Sequence, residues 1–393
     1  MNSTVMSNLA DMPSEWFRIF LIILFIIIVL IGLIGNTLVL LSVSTHHIKI
    51  RRSSTNLLLV NMSCADLIIL SFNMLDIIQF SYDHSWPTAW YLGLFLCKMC
   101  RYFQVLGCYV SVQTLLAISI ERYISIIHPV KISHVNRRKR LLFVFILIWS
   151  IGIIMASPNL FLLTLHTHIN RPEYYVCGLS DHLTYSSIIL FYKYIESILF
   201  FYIPISVQTV LYIIICRNIF MVERAVQANY RSEQLQQSTA SDSHRPFSGT
   251  KMSSLVQTPI NENNNNNNMS LMPMITPRIP THITISNSTQ KNGDTARKHA
   301  IIMLLLVAIL YFIAFSPAQI NFIYVQINHL HHLYENRLFF IISILLALSS
   351  TAFNPILFYI FSRFFRHKFN IILRSLCSIC RVHSRRQNNY PMV

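Results

Sequence analysis

The chain is 393 residues long, 53% hydrophobic and only 12% charged, about half the charged share of a soluble domain. Its 31 Lys and Arg against 15 Asp and Glu give a net charge of +16. Such an excess can mark a nucleic-acid binder, but in so apolar a chain it reads as the bases that collect on one side of a membrane and set orientation. Few Gly and Pro (8 and 14) exclude a collagen-like or wholly disordered chain.

Residues 1–15 are polar and carry one glycosylation sequon, Asn2-Ser3-Thr4. The apolar run that follows is too long for a signal-peptide core, so the expectation is an uncleaved signal anchor behind an extracellular N-terminus of 1–15. Seven apolar runs then follow: Trp16–Val43, Thr55–Tyr82, Phe95–Ile127, Leu141–Leu165, Ser187–Cys216, Ala300–Ile327 and Leu338–Phe361. Each is long enough to cross a hydrocarbon layer of about 30 Å as a helix. The third is the least apolar, with Arg101, Gln104, Gln113, Glu121 and Arg122. Its charges lie near its ends, where a spanning helix tolerates them.

Between runs five and six, residues 223–295 are polar and include the repeat Asn263–Asn268. That composition predicts a disordered cytoplasmic loop. After run seven, Ser362–Leu373 alternates bases with aromatic and aliphatic residues, which predicts an amphipathic helix on the membrane surface. Cys377 and Cys380 lie in the final tail, 374–393; palmitoylation and free thiols are equal readings. The predicted fold class is an all-α seven-helix membrane bundle, 16–373, with that short helix after it.

The bases give orientation. Lys49, Arg51 and Arg52 follow run one, and Lys131 and Arg137–Arg140 follow run three. Arg297 and Lys298 precede run six, and Arg363, Arg366 and Lys368 follow run seven. All lie on one face if the runs alternate, while Asp11, Glu15, Asp83, Glu173, Asp181 and Glu335 lie on the other. The positive-inside rule therefore puts the N-terminus outside and the C-terminus inside, in the plasma membrane.

Polar groups inside lipid are costly and so informative. Asn36, Asp66, Ser111 and Asn354 all fall near mid-membrane. A carboxylate among neutral oxygens is a hard-cation site, for which Na+ at Asp66 is the plausible guest. A hydrogen-bonded network with no ion reads equally well, and no other cofactor is implied. Cys97 heads the third run on the outer side and Cys177 follows the fourth; in an oxidising compartment they are expected to pair. Glu121-Arg122-Tyr123 ends the third run, and Pro158, Pro204, Pro317 and Pro355 interrupt runs four to seven.

In order and spacing these residues resemble the rhodopsin-like G-protein-coupled receptors over nearly the whole chain. The resemblance rests on Gly35-Asn36, Asn61 with Ala65-Asp66-Leu67, Trp90 with Gly93 and Cys97, Glu121-Arg122-Tyr123, and Trp149. It continues through Pro204 with Tyr212, Phe315-Ser316-Pro317, and Asn354-Pro355-Ile356-Leu357-Phe358. It implies an outer ligand pocket and an inner cleft for a heterotrimeric G protein. It also implies that Arg122 re-pairs on activation with Tyr212, with Glu121, Tyr123, Tyr311, Phe315, Pro317, Asn354, Pro355 and Phe358 as switch residues. There are departures from the family's pattern: Phe315 stands for a Trp, Tyr311 for a Phe, Phe358 for a Tyr, and Arg297 where some members have an acid.

Amine receptors of this family carry an Asp where this chain has Gln104, and opsins carry a Lys where it has Leu348. Peptide receptors of the family often carry Gln at the position of Gln104, so the resemblance implies a peptide ligand. Parts of the chain are similar to galanin, allatostatin and kisspeptin receptors, and others to tachykinin-type receptors, so the subfamily stays open. The outer ends of the runs supply the ligand-contact candidates Asp76, Gln79, Arg101, Gln104, Glu196, Gln319, Phe322 and Phe340. Asp76 or Glu196 could receive a basic ligand group; Lys193, three residues before Glu196, could instead satisfy it internally. The alternatives are a weakly signalling seven-helix receptor for a non-peptide ligand, or a transporter, although no duplicated halves are visible. No nucleophile–base pair points to an enzyme, and nothing points to nucleic acid.

Overall fold

The computed structural model describes residues 15–44, 54–82, 89–128, 137–168, 171–179, 187–242, 287–327 and 337–387. Among these, seven helices are long and apolar enough to cross a membrane. They are span one, Glu15–Ser44; two, Ser54–Tyr82; three, Gly93–Ile127; four, Lys139–Leu162; five, Ser187–Ser232; six, Lys298–Ile320; and seven, Ile341–Phe361. All seven predicted runs are therefore present. The chain divides into two compact units, residues 1–216 with 294–393, and residues 217–293.

Within the first unit, span one packs on spans two and seven, span two on three, and span three on four. Leu21, Phe25 and Val29 meet Ile69, Leu70, Ile77 and Phe80 of span two and Ile341 and Leu348 of span seven. The other face of span one stays bare: Ile23, Ile27, Leu30 and Ile34 are each about half exposed (47–59%). Asn36 and Asp66 are fully buried. This apolar-out, polar-in arrangement suits lipid rather than water as solvent. Spans two and three approach closely at Gly107, where a Cβ would sit 3.1 Å from the Ala65 carbonyl oxygen. Small residues permit such contacts between spanning helices. Gly93 opens span three with φ +76, a conformation that a side chain would strain.

Besides shifts of a few residues at span ends, four features differ from the sequence reading, each for a local reason. Span four breaks at Ser157 ahead of Pro158, and its short second piece ends at Leu162, not Leu165. The chain turns extended at Leu163 (ψ 140) and enters strand β1, Leu163–His168, which pairs antiparallel with β2, Arg171–Leu179. In span five the interruption expected at Pro204 takes the form of a π turn at Ile198–Tyr202. Proline has no N–H to give the carbonyl four residues back and its ring clashes there, so the helix widens before it. The segment predicted as a disordered loop, 223–295, begins and ends in helix. Helix continues to Asp242 and restarts at Asn287, because the segment after Glu223 is rich in Ala, Gln, Glu and Arg, all good helix formers. Residues 243–286, including Asn263–Asn268, lie outside the described residues. Finally, the surface helix is Arg363–Gln387, running well past Leu373. Ser362 separates it from span seven, its hydroxyl accepting from the Phe365 N–H at 3.5 Å, a capping role. Buried Phe365 and Phe369 face the bundle, with the Phe365 ring 5.6 Å from Phe358.

Candidate functional site

Polar side chains gather at three levels along span three. At mid-span, Asp66 receives Ser111 Oγ on one carboxylate oxygen and Asn354 Nδ2 on the other, both at 2.9 Å. Asn36 donates to the carbonyls of Gly32 (3.0 Å) and Thr351 (3.3 Å), tying spans one and seven. All four predicted residues are thus buried in the same level of the bundle, and Asn36 Oδ1 has no hydrogen-bond partner among the described residues. A cavity of about 20 Å³ lies beside them, lined by Ser111, Tyr311, Phe315, Ser350, Thr351 and Asn354 among others. That is room for one water or a small ion. Among the described residues no three His, Cys, Asp or Glu side chains meet as a metal set.

One end carries the disulfide. Cys97 and Cys177 are bonded, their Cα atoms 5.8 Å apart, so β2 is fixed to the start of span three. Trp90 N–H donates to Tyr175 O at 2.7 Å, and the indole N–H to Gly93 O at 2.9 Å. Beneath, both terminal nitrogens of Arg101 grip Asp76, at 3.0 and 3.1 Å. Gln104 Nε2 donates to the same carboxylate at 2.5 Å, while its Oε1 accepts from Arg101 at 2.9 Å. The guanidinium lies over the Trp90 ring, 5.5 Å from its centroid. Gln79 accepts from Tyr91 N at 3.0 Å. On span five, Glu196 takes Lys193 Nζ at 2.7 Å and also the Tyr109 hydroxyl. Both candidate carboxylates, Asp76 and Glu196, therefore already have a base from the chain itself. Gln319 on span six has a buried Oε1 with no partner among the described residues. The side chains of Phe322 and Phe340 lie outside the described residues, as do Asn2, the Arg297 side chain, and the side chains of Cys377 and Cys380.

The other end carries Arg122. Its neighbour Glu121 is bonded to Arg140 of span four at 2.7 Å, and the Tyr123 ring meets His128 edge-on at 6.0 Å. Ser119 donates to the Tyr212 hydroxyl at 3.2 Å, joining spans three and five one turn before Arg122. Phe358 is wholly buried. Pro317 and Pro355 sit inside helices six and seven. Between the ends, Tyr311 stacks at a tilt on Phe315, 4.5 Å between centroids, and donates to Phe200 O at 3.3 Å. That carbonyl lies four residues before Pro204 and loses its usual helical donor there. The Tyr in place of the family's Phe supplies the hydroxyl that reaches it.

Residues 35–358 match the family described as 7 transmembrane receptor (rhodopsin family). The chain belongs to that family. It is a multi-pass membrane protein of a class that signals and is not enzymatic. Among curated relatives, Neuropeptide receptor 15 of Caenorhabditis elegans is 24% identical over 360 residues, 89% of this chain and 88% of its own length. Galanin receptor type 1 of Rattus norvegicus is 36% identical over 127 residues, 32% of this chain and 36% of its own length. Growth hormone secretagogue receptor type 1 of Sus scrofa is 29% identical over 142 residues, 35% of this chain and 38% of its own length. The chain thus spans about a third of the length of the latter two.

In this receptor, sequence reasoning missed Tyr109, which stacks on Phe200 (3.7 Å between centroids) while bonding Glu196. In the sequence it is one more aromatic in an apolar helix, with no signal to separate it from core. The Trp90–Arg101 contact was hidden for another reason: it depends on the turn before span three, not on any helical period.

Proposed function

We propose that this receptor binds a peptide at its disulfide-bearing end, outside the cell, and passes the event to a heterotrimeric G protein at its Arg122 end. The observation that carries this reading is the pair of polar constellations on one continuous helix. Arg101 and Arg122 are 21 residues apart on span three, roughly 30 Å at 1.5 Å per residue, with the Asp66 level between them. A ligand that prefers one packing of the bundle then biases both ends together. The relatives named for peptides support the ligand class. The positive-inside rule supports the orientation, with the N-terminus outside and the bases, including those of the surface helix, towards the cytosol and its lipids.

In this reading Arg122 is the switch, restrained by neighbours such as Glu121, Tyr123 and Tyr212, and freed by movement about Pro317 and Pro355. Expression of the full chain in cells, with a neuropeptide library applied outside and calcium and cyclic AMP read inside, tests it. A saturable response to a peptide is the expected result. Response only to non-peptide compounds would replace peptide by another ligand class. Silence towards every agonist would favour the weakly signalling reading, for which the altered switch residues, buried Phe358 without its hydroxyl among them, are the motivation.

The Asp66 level fits a sodium ion: one carboxylate, hydroxyl and amide oxygens nearby, and space for one ion, all hard donors. Sodium chloride is therefore expected to raise the Tm of the purified receptor above an equal concentration of N-methylglucamine chloride. The increment should vanish in Asp66→Asn. An equal increment in both proteins would leave the level as a hydrogen-bonded network only.

A further inference from the structure

We propose that Arg101, and not Asp76, is the ligand-facing member of the pair beneath Trp90, and that it receives a neutral amide carbonyl of the peptide. The inference rests on the peptide reading above and names what that end of the bundle recognises.

The donors can be counted. A guanidinium has five N–H groups. Arg101 spends two on Asp76 and Gln104 through Nη1 and one on Asp76 through Nη2. Its Nε–H and second Nη2–H make no hydrogen bond among the described residues. Asp76 has the opposite standing. Its side chain is 2% exposed against 25% for Arg101, and both its oxygens are taken by Arg101, with Gln104 adding a further donor. An incoming cation would have to displace a bidentate guanidinium, the strongest kind of carboxylate partner. An incoming oxygen acceptor displaces nothing.

Charge decides between acceptors. Asp76 and Arg101 cancel, and across the bundle end Glu196 and Lys193 cancel as well. A ligand carboxylate would leave the Arg101 group with one uncompensated negative charge in a partly desolvated place, a costly state. A neutral carbonyl uses the same two donors and leaves the Arg101–Asp76 pair neutral. The two bonds to Asp76 fix the orientation of the guanidinium, so the remaining N–H groups point in a fixed direction.

The test uses the full-length receptor in lipid nanodiscs and two small probes, acetyl-phenylalaninamide and acetyl-phenylalanine, with affinities read by surface plasmon resonance at pH 7. In the wild type the amide should bind at least tenfold more tightly than the acid. In Asp76→Asn the guanidinium loses its counter-charge, and the order should invert. In the double variant Asp76→Asn/Arg101→Gln, which removes both charges together, the amide should lose at least tenfold. The double variant keeps the test decisive if Asp76→Asn alone fails to fold. Equal binding of the two probes to the wild type, no binding of either, or amide binding unchanged in the double variant would each overturn the assignment. Because the probes are read by binding and not by signalling, a receptor that passes this test yet answers no peptide would sink the peptide reading and leave this site standing.

Discussion

Replacing Arg122 with alanine is expected to abolish most ligand-driven G-protein activation while ligand still binds at the far end of the bundle. Arg122 lies near the end of span three, next in sequence to Glu121, which is engaged with Arg140 at 2.7 Å, and one turn after Ser119, which bonds Tyr212. If it is the group that changes partners, deleting it removes the differential contact between the two bundle arrangements. A ligand shifts an equilibrium only by its differential affinity for the two states. Couplings of about 1–3 kcal/mol correspond to roughly 5- to 150-fold in affinity. The loss should fall in that range or beyond, read as the agonist-stimulated rate of nucleotide exchange on a purified G protein. Agonist affinity measured without G protein should change by far less. Exchange rates equal to wild type would show that Arg122 is only a surface base.

The second large effect is expected at the disulfide. Cys97 is fully buried with Trp90 and Cys100, and Cys177 anchors β2 near its end. Removing both sulfurs, as Cys97→Ser with Cys177→Ser, frees the hairpin from span three and loosens the Trp90 ring beside Arg101. Loss of a native disulfide typically costs about 2–5 kcal/mol. Here the spans keep their lipid-driven helicity, so the loss should appear as a lowered Tm and as weakened agonist binding, with membrane insertion retained. A variant with wild-type Tm and agonist affinity would mean that the bond does not hold the ligand end in shape.

Much of this architecture was legible because lipid imposes a simple code: long apolar runs cross, bases stay to one side, and any polar group left inside has a reason. Asp66 and its partners Ser111 and Asn354 stood out for that reason. The Cys97–Cys177 bond followed from position and compartment. What the sequence hid was rotation of one helix against another. Asp76 and Arg101 are 25 residues apart on different spans, and only the register between those spans shows that they grip each other. The same holds for Tyr109 and Glu196. Local breaks were half-legible: Pro204 predicted a hinge, but a π turn with the Phe200 carbonyl captured by Tyr311 required knowing where span six lies. The hairpin was missed because Leu163–Leu165 is apolar enough to extend span four on paper, although the turn of backbone after Leu162 ends it.

The account depends most on an odd number of crossings, with the disulfide end outside and the Arg122 end inside. Epitope tags on the two termini of the full chain, probed with antibody on intact and then permeabilised cells, test that directly. The N-terminal tag should be stained on intact cells and the C-terminal tag only after permeabilisation. Staining of both tags under the same condition would contradict the topology and, with it, the assignment of every site to a side.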